Sequence, residues 1–164
     1  VLLGVDMRGA AASLRSFALP RGRLNLLRLH DVDFIDDTYN ANPFSLQQAL
    51  QALQQFKSAG KKVLVMGDML ELGALSRGFH QQAGVAASRS CDVLVAVGEH
   101  ARVSAHSAAA NGLDQSRIFV CSSAQEAADL LRTKIGLHRG DVVLAKAYRG
   151  THFEKILDNF KSGR

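Results

Sequence analysis

The chain has 164 residues, 47% of them hydrophobic and 21% charged, with a formal net charge of +5 and two cysteines. Such a composition suits one globular domain with a single core and argues against disorder, a fibrous repeat or a disulfide scaffold. No apolar run approaches the roughly 20 residues of a membrane helix, and the Lys and Arg residues are scattered without aromatic interleaving, so neither a membrane nor nucleic acid is an expected partner.

No charged-then-apolar leader opens the chain, and Cys91 and Cys121 form no CxxC pair. Two reduced core thiols and a cytoplasmic location are therefore expected. The chain begins at Val1 with a helical pattern almost at once, as a piece of a longer polypeptide would. Asp6 is placed to cap a short Ala-rich helix ending near Phe17, and Pro20 then breaks the helical pattern. Residues 1–19 read as the tail of a preceding domain plus a linker, and residues 20–164 as the domain proper.

Leu24–Leu29 and Val32–Ile35 predict an antiparallel hairpin around His30-Asp31. Ser45–Lys57 predicts a helix with Leu46, Ala49, Leu50, Leu53 and Phe56 on one face and a capping box of Ser45 and Gln48. Lys62–Met66 is a continuous apolar run, as a buried parallel strand requires. Next in the chain come a helix around Phe79–Ala87, a strand at Val93–Val97, a helix at Ala101–Asn111 and a strand at Ile118–Val120. Ser123 and Glu126 cap the next helix, which turns Ala127, Leu130 and Leu131 inward. Val142–Ala145 is the last strand. Thr151 and Glu154 are expected to cap a final helix with Phe153, Ile156, Leu157 and Phe160 on one stripe.

Strands alternating with helices give an α/β fold. The expectation is a Rossmann-like, three-layer domain with a mostly parallel sheet of about six strands and an antiparallel N-terminal hairpin strand. Ligands of such sheets bind at the carboxyl ends of the strands. Three loops fall there. Asp36-Asp37-Thr38-Tyr39-Asn40-Ala41-Asn42-Pro43 offers acids, an aromatic ring and amides for a nucleotide, or simply makes a turn. Gly67-Asp68-Met69-Leu70-Glu71-Leu72-Gly73 brackets two carboxylates with glycines, which suits either a cation site or a tight crossover. Lys146-Ala147-Tyr148-Arg149-Gly150-Thr151 brings two cations to a helix start, a good carboxylate or phosphate site that a structural cap rivals.

Other features are decoys. Gly60-Lys61-Lys62 lacks the spacing and the Ser or Thr of a P-loop, and it precedes a strand. Gly98-Glu99-His100 lies outside any GxGxxG pattern. The six histidines show no metal-ligand spacing and read as surface or capping residues. No GxSxG elbow is present. The chain has places to bind something but no self-contained catalytic apparatus, so no catalytic residue and no metal ligand is expected.

Taken together, the three loops resemble the C-terminal domain of the Mur ligase family, in particular of its D-alanyl-D-alanine-adding members. Asp36-Asp37-Thr38-Tyr39-Asn40-Ala41-Asn42-Pro43 looks like the DDSYNANP signature with one Ser-to-Thr change. Val65-Met66-Gly67-Asp68-Met69-Leu70-Glu71-Leu72-Gly73, with His80 and Gly84 beyond it, and Gly22-Arg23-Leu24 at the linker, match the family pattern too. The resemblance runs from about Pro20 to the end, and residues 1–19 look like the last helix of the central ATPase domain.

The resemblance implies a three-domain bacterial ligase that joins D-Ala-D-Ala to UDP-MurNAc-tripeptide with ATP, through an acyl phosphate, in peptidoglycan precursor synthesis. The P-loop, the Mg²⁺ ligands and the modified lysine of the family belong to the central domain, and the isolated chain is expected to be inactive. By the same resemblance Arg23, Asp37, Tyr39 and Asn40 contact ATP, whereas Asn42, Lys146 and Arg149 form the dipeptide site. One departure is plain: many relatives have Lys-Gly-Ser-Arg-Gly where this chain has Lys146-Ala147-Tyr148-Arg149-Gly150. The rival readings are a sibling ligase adding a single amino acid and a stand-alone nucleotide-binding module.

Overall fold

The computed structural model describes Gly4, residues 6–15 and residues 17–161; expectations for residues 1–3, 5, 16 and 162–164 lie outside the described residues. Helix α1 spans Met7–Arg15. As expected, Asp6 opens it, its carboxylate accepting from the Gly9 amide at 2.9 Å. None of the residues of α1 is buried.

Strands β1 (Asn25–Leu29) and β2 (Val32–Asp37) form the expected antiparallel hairpin. Its turn residues, His30 and Asp31, both have positive φ, at 48° and 64°. A two-residue loop needs that geometry to match the twist of its strands. The second strand runs further than its apolar stretch suggests. Asp36 and Asp37, read as loop residues, end β2, because the ladder to the last strand, β6 (Val142–Lys146), continues through Ala145 and Lys146.

Helix α2 covers Pro43–Gln55 and starts ahead of the expected Ser45. Asn42 is the N-cap, its side chain accepting from the Ser45 amide at 2.8 Å while Ser45 Oγ accepts from the Asn42 amide at 3.2 Å. The capping box is therefore Asn42 with Ser45, not Ser45 with Gln48. Pro43 accounts for the difference, since its fixed φ and missing N–H favour the first helical position.

The rest alternates: β3 (Lys62–Gly67), α3 (Ser76–Ser88), β4 (Val93–Val97), α4 (Ala101–Ala110), β5 (Ile118–Cys121), α5 (Ala124–Leu130) with a wider turn through Leu131–Ile135, then β6 and α6 (Glu154–Lys161). Ser123 caps α5 as expected, accepting from the Glu126 amide, and the Glu126 carboxylate returns to Ser122. The expected Thr151 cap of α6 does not form. Thr151 Oγ instead donates to the Tyr148 carbonyl at 2.6 Å inside a tight turn over Arg149–Thr151, and His152, at φ 53°, breaks the path into the helix.

The sheet order is β1-β2-β6-β3-β4-β5, parallel except for the first pair. Because side chains alternate along a strand, the apolar runs feed two cores. Val63, Val65, Val95 and Val143 meet α5 and α6 through Ala127, Leu131, Ile156 and Phe160. Leu64, Met66, Leu94 and Leu144 meet α2, α3 and α4 through Leu46, Leu50, Ala83 and Ala108. This is the expected three-layer α/β domain.

Candidate functional site

Since β2, β6, β3, β4 and β5 run the same way, their carboxyl ends share one rim, edged by loops 38–42, 147–153, 68–75, 98–100 and 122–123. At its centre Asp37 and Lys146 are register partners on neighbouring strands. Lys146 is 1% exposed, and its ammonium donates to Asp37 at 2.5 Å and to the Asn40 carbonyl at 3.0 Å. A buried ammonium without such partners would be costly, so this pair ties loop 38–42 to the end of β6. The other Asp37 oxygen accepts from the Leu24 amide at 3.2 Å, which leaves further lone pairs on the carboxylate.

Tyr39, two residues beyond Asp37 in the chain, is 39% exposed. The Arg23 guanidinium lies 4.1 Å from its ring centroid and that of Arg149 lies 5.5 Å away, both within cation–π range. The backbone reinforces the first contact: the Tyr39 amide donates to the Gly22 carbonyl at 3.0 Å. Gly22 has φ +73°, and a Cβ there would sit 2.8 Å from the Tyr39 nitrogen, so only glycine lets the linker lie this close.

Six of the seven sequence-predicted residues thus fall into two groups at this rim: Lys146 bonds Asp37 and the Asn40 carbonyl, and Tyr39 carries Arg23 and Arg149. Asn42 is the α2 cap. Lys146, expected at a substrate carboxylate, faces the interior and Asp37, whereas Arg149 and Arg23 are exposed.

Loop 68–75 is held by Asp68, His80 and Glu71, whose roles the sequence did not fix. Asp68, which read equally as a ligand or a turn residue, accepts from the Ala101 amide at 2.7 Å and so caps α4. A Cβ on Gly98 would collide with that carboxylate at 2.6 Å. His80 is fully buried, against the reading of the histidines as surface residues. Its Nε2 accepts from the Met69 amide at 3.1 Å, and its Nδ1 donates to the Ser76 carbonyl at 2.8 Å, which defines a neutral ring. Burial lowers its pKa from the ordinary value. The signal was available in the spacing of His80, Ala83, Gly84 and Ala87, one buried stripe of α3. Glu71 accepts from the Tyr148 hydroxyl at 3.0 Å, joining loop 68–75 to loop 147–153.

Both cysteines are free thiols buried in the core. Burial pushes the Cys91 thiol up to about 12 and the Cys121 thiol to about 11. Among the described residues no three His, Cys, Asp or Glu side chains converge as a metal site, and no helix is long and apolar enough to cross a membrane. The rim offers two outward guanidiniums, an aromatic face and a half-used carboxylate, which is equipment for holding anions and hydroxyls.

Residues 22–149 match the family described as Mur ligase, glutamate ligase domain. The chain belongs to the Mur ligase family. It is 34% identical over 158 residues to a UDP-N-acetylmuramoyl-tripeptide–D-alanyl-D-alanine ligase of Bacillus subtilis, covering 94% of this chain and 34% of that protein. Among solved structures, this Mur ligase domain is similar to MurF from Acinetobacter baumannii, with a TM-score of 0.82 and 32% identity over 98% of this chain and 35% of that one. It is also similar to MurF ligase from Thermotoga maritima in complex with ADP, with a TM-score of 0.75 and 30% identity over 95% of this chain and 35% of that one. The Mur ligase domain described here spans about a third of the length of these relatives.

Proposed function

We propose that this chain is the C-terminal domain of a cytoplasmic, ATP-dependent amide ligase that adds D-Ala-D-Ala to UDP-MurNAc-tripeptide in peptidoglycan precursor synthesis. The observation that carries the reading is the pair of exposed guanidiniums on Tyr39 at the carboxyl-end rim. Two cations on one half-exposed ring suit a substrate set with two anionic parts, a polyphosphate and a carboxylate. The names of the relatives support it, one being a UDP-N-acetylmuramoyl-tripeptide–D-alanyl-D-alanine ligase and another a MurF ligase in complex with ADP.

In this reading the chain binds and orients, and the reacting groups lie elsewhere. Arg23, on the linker side, approaches the ATP phosphates or base. Asp37 offers its remaining lone pairs to ribose hydroxyls, and Tyr39 with Asn40 frames the nucleotide. Arg149 takes the dipeptide carboxylate as a planar two-donor fork. Lys146 acts from beneath by fixing Asp37 and loop 38–42, and Asn42 fixes the far end of that loop through its cap. Mg²⁺ accompanies ATP and belongs mainly to a central ATPase domain. Residues 1–19 are the last helix of that domain plus a linker, in keeping with an α1 none of whose residues is buried. Closure of this domain on the central one would exclude water from the activated carboxyl.

The test is phosphate release by the full-length polypeptide given ATP and UDP-MurNAc-tripeptide, with the amine varied and the 164-residue chain run alone. The expected result is turnover with D-Ala-D-Ala and none from the chain alone. Turnover with a single amino acid would place the protein among the sibling ligases. No turnover with any amine would leave a nucleotide-binding module.

A further inference from the structure

Ala147-Tyr148 stands where many relatives have Gly-Ser, and the structure shows what the Tyr148 hydroxyl does there. It donates to Glu71 Oε1 at 3.0 Å across 77 residues of sequence. The two loops so joined come after β3 and β6, which are adjacent in the sheet with Met66 paired to Lys146. Glu71 is held at φ 63°, in the left-handed region. At its other end, the Tyr148 carbonyl accepts from both the amide and the hydroxyl of Thr151, at 3.1 and 2.6 Å. Tyr148 is thus fixed on both sides of the bond that leads to Arg149, whose guanidinium rests over Tyr39.

We propose that the Tyr148–Glu71 hydrogen bond is a latch between the two loops that sets the position of Arg149, making Tyr148 a specificity-determining positioning residue for a carboxylate-bearing amine substrate. The proposal rests on the reading of Arg149 as the carboxylate ligand. Unlatched, loop 147–153 keeps its turn but gains freedom at Arg149, and the ordering cost falls on substrate binding. The nucleotide, held from the linker side, is unaffected.

The experiment compares wild type, Tyr148→Phe, Glu71→Ala, Glu71→Gln and the double variant Tyr148→Phe/Glu71→Ala in the full-length polypeptide. Loss of one exposed hydrogen bond to a charged group should raise the KM for D-Ala-D-Ala roughly three- to ten-fold in Tyr148→Phe and in Glu71→Ala, with the KM for ATP unchanged. The double variant should be no worse than either single one, as members of one interaction are. Glu71→Gln should stay near wild type, because its carbonyl still accepts. Additive effects, an unchanged dipeptide KM in Tyr148→Phe, or an equal rise in the KM for ATP would each overturn the latch. A wild type that does not use the dipeptide would overturn the functional reading as well.

A second measurement needs no substrate. The 164-residue chain has two tyrosines and no tryptophan, so Tyr39→Phe leaves Tyr148 as its sole phenol. The hydrogen bond to Glu71 and its charge raise the Tyr148 pKa above the ordinary value. Absorbance at the phenolate band should show that rise and its disappearance in Tyr39→Phe/Glu71→Ala. A titration indifferent to Glu71 would overturn the latch.

Discussion

The two ends of the sheet each carry a lysine on an aspartate, yet they serve different ends. At the amino end Lys61 sits 3.4 Å from Asp141, and its ammonium also donates to the carbonyls of Ile135 and Gly136 at 3.1 and 2.9 Å. Both Asp141 oxygens accept backbone amides, from Lys61 and from His138. The partners in that cluster are backbone groups of the neighbouring segments, and a Cβ on Gly60 would fall on the Asp141 carboxylate. At the carboxyl end Lys146 and Asp37 are as well paired, but Tyr39, Arg23 and Arg149 on the adjoining segments are exposed. The same kind of charge pair joins backbone segments at one rim and lies beside the proposed binding site at the other. Buried ion pairs hold geometry more than they add stability, and what borders them decides their use.

The sharpest way to break that comparison is to remove each lysine. Lys146→Met should cost about 3–5 kcal/mol in urea unfolding, since it strands a buried Asp37, whereas Lys61→Met, a third exposed and leaving Asp141 with two amide donors, should cost only about 1–2 kcal/mol. Equal losses would make the two pairs equivalent. Next comes Gly67→Ala, whose Cβ would lie 2.8 Å from Ala147 Cβ and 3.0 Å from the Phe153 ring. Overpacking there should cost about 1–3 kcal/mol, and Ala147→Gly in the same chain should restore part of it in a thermal melt. No rescue would mean that Phe153 sets the limit.

Smaller is the loss of the α2 cap. Asn42→Ala should destabilise by about 1 kcal/mol, with a corresponding drop in the urea midpoint. The least effect is a slope. His80 is neutral in the fold and its pKa is lowered by burial, so the unfolded chain binds the proton more readily. The stability it contributes is full above the unfolded value near 6.5 and is lost as pH falls from there through the folded value. Urea midpoints between pH 7.5 and 5 should fall more steeply in wild type than in His80→Gln, and identical slopes would sink the assignment.

Much of the fold was legible because periodicity reports burial directly. The run Lys62–Met66 and the stripe of Ile156, Leu157 and Phe160 admit few other placements. Boundaries slipped where a tertiary partner extends or truncates an element. Asp36 and Asp37 became strand residues because β6 lies beside them. Thr151 left its expected cap for the carbonyl of Tyr148. The candidate site was legible as a set of residues but not as a division of labour, because polarity marks a group and not the direction it faces.

By itself the sequence determined the α/β alternation, the rim on which the polar loops fall, and the family pattern those loops carry, since each is written in local spacing. Only the tertiary structure decided that Lys146 turns inward to Asp37 while Arg149 turns out to Tyr39, that His80 pins loop 68–75, and that Tyr148 reaches Glu71. These choices depend on which strands lie side by side. That order, β6 between β2 and β3, is set by packing two cores at once and is written in no single segment of the chain.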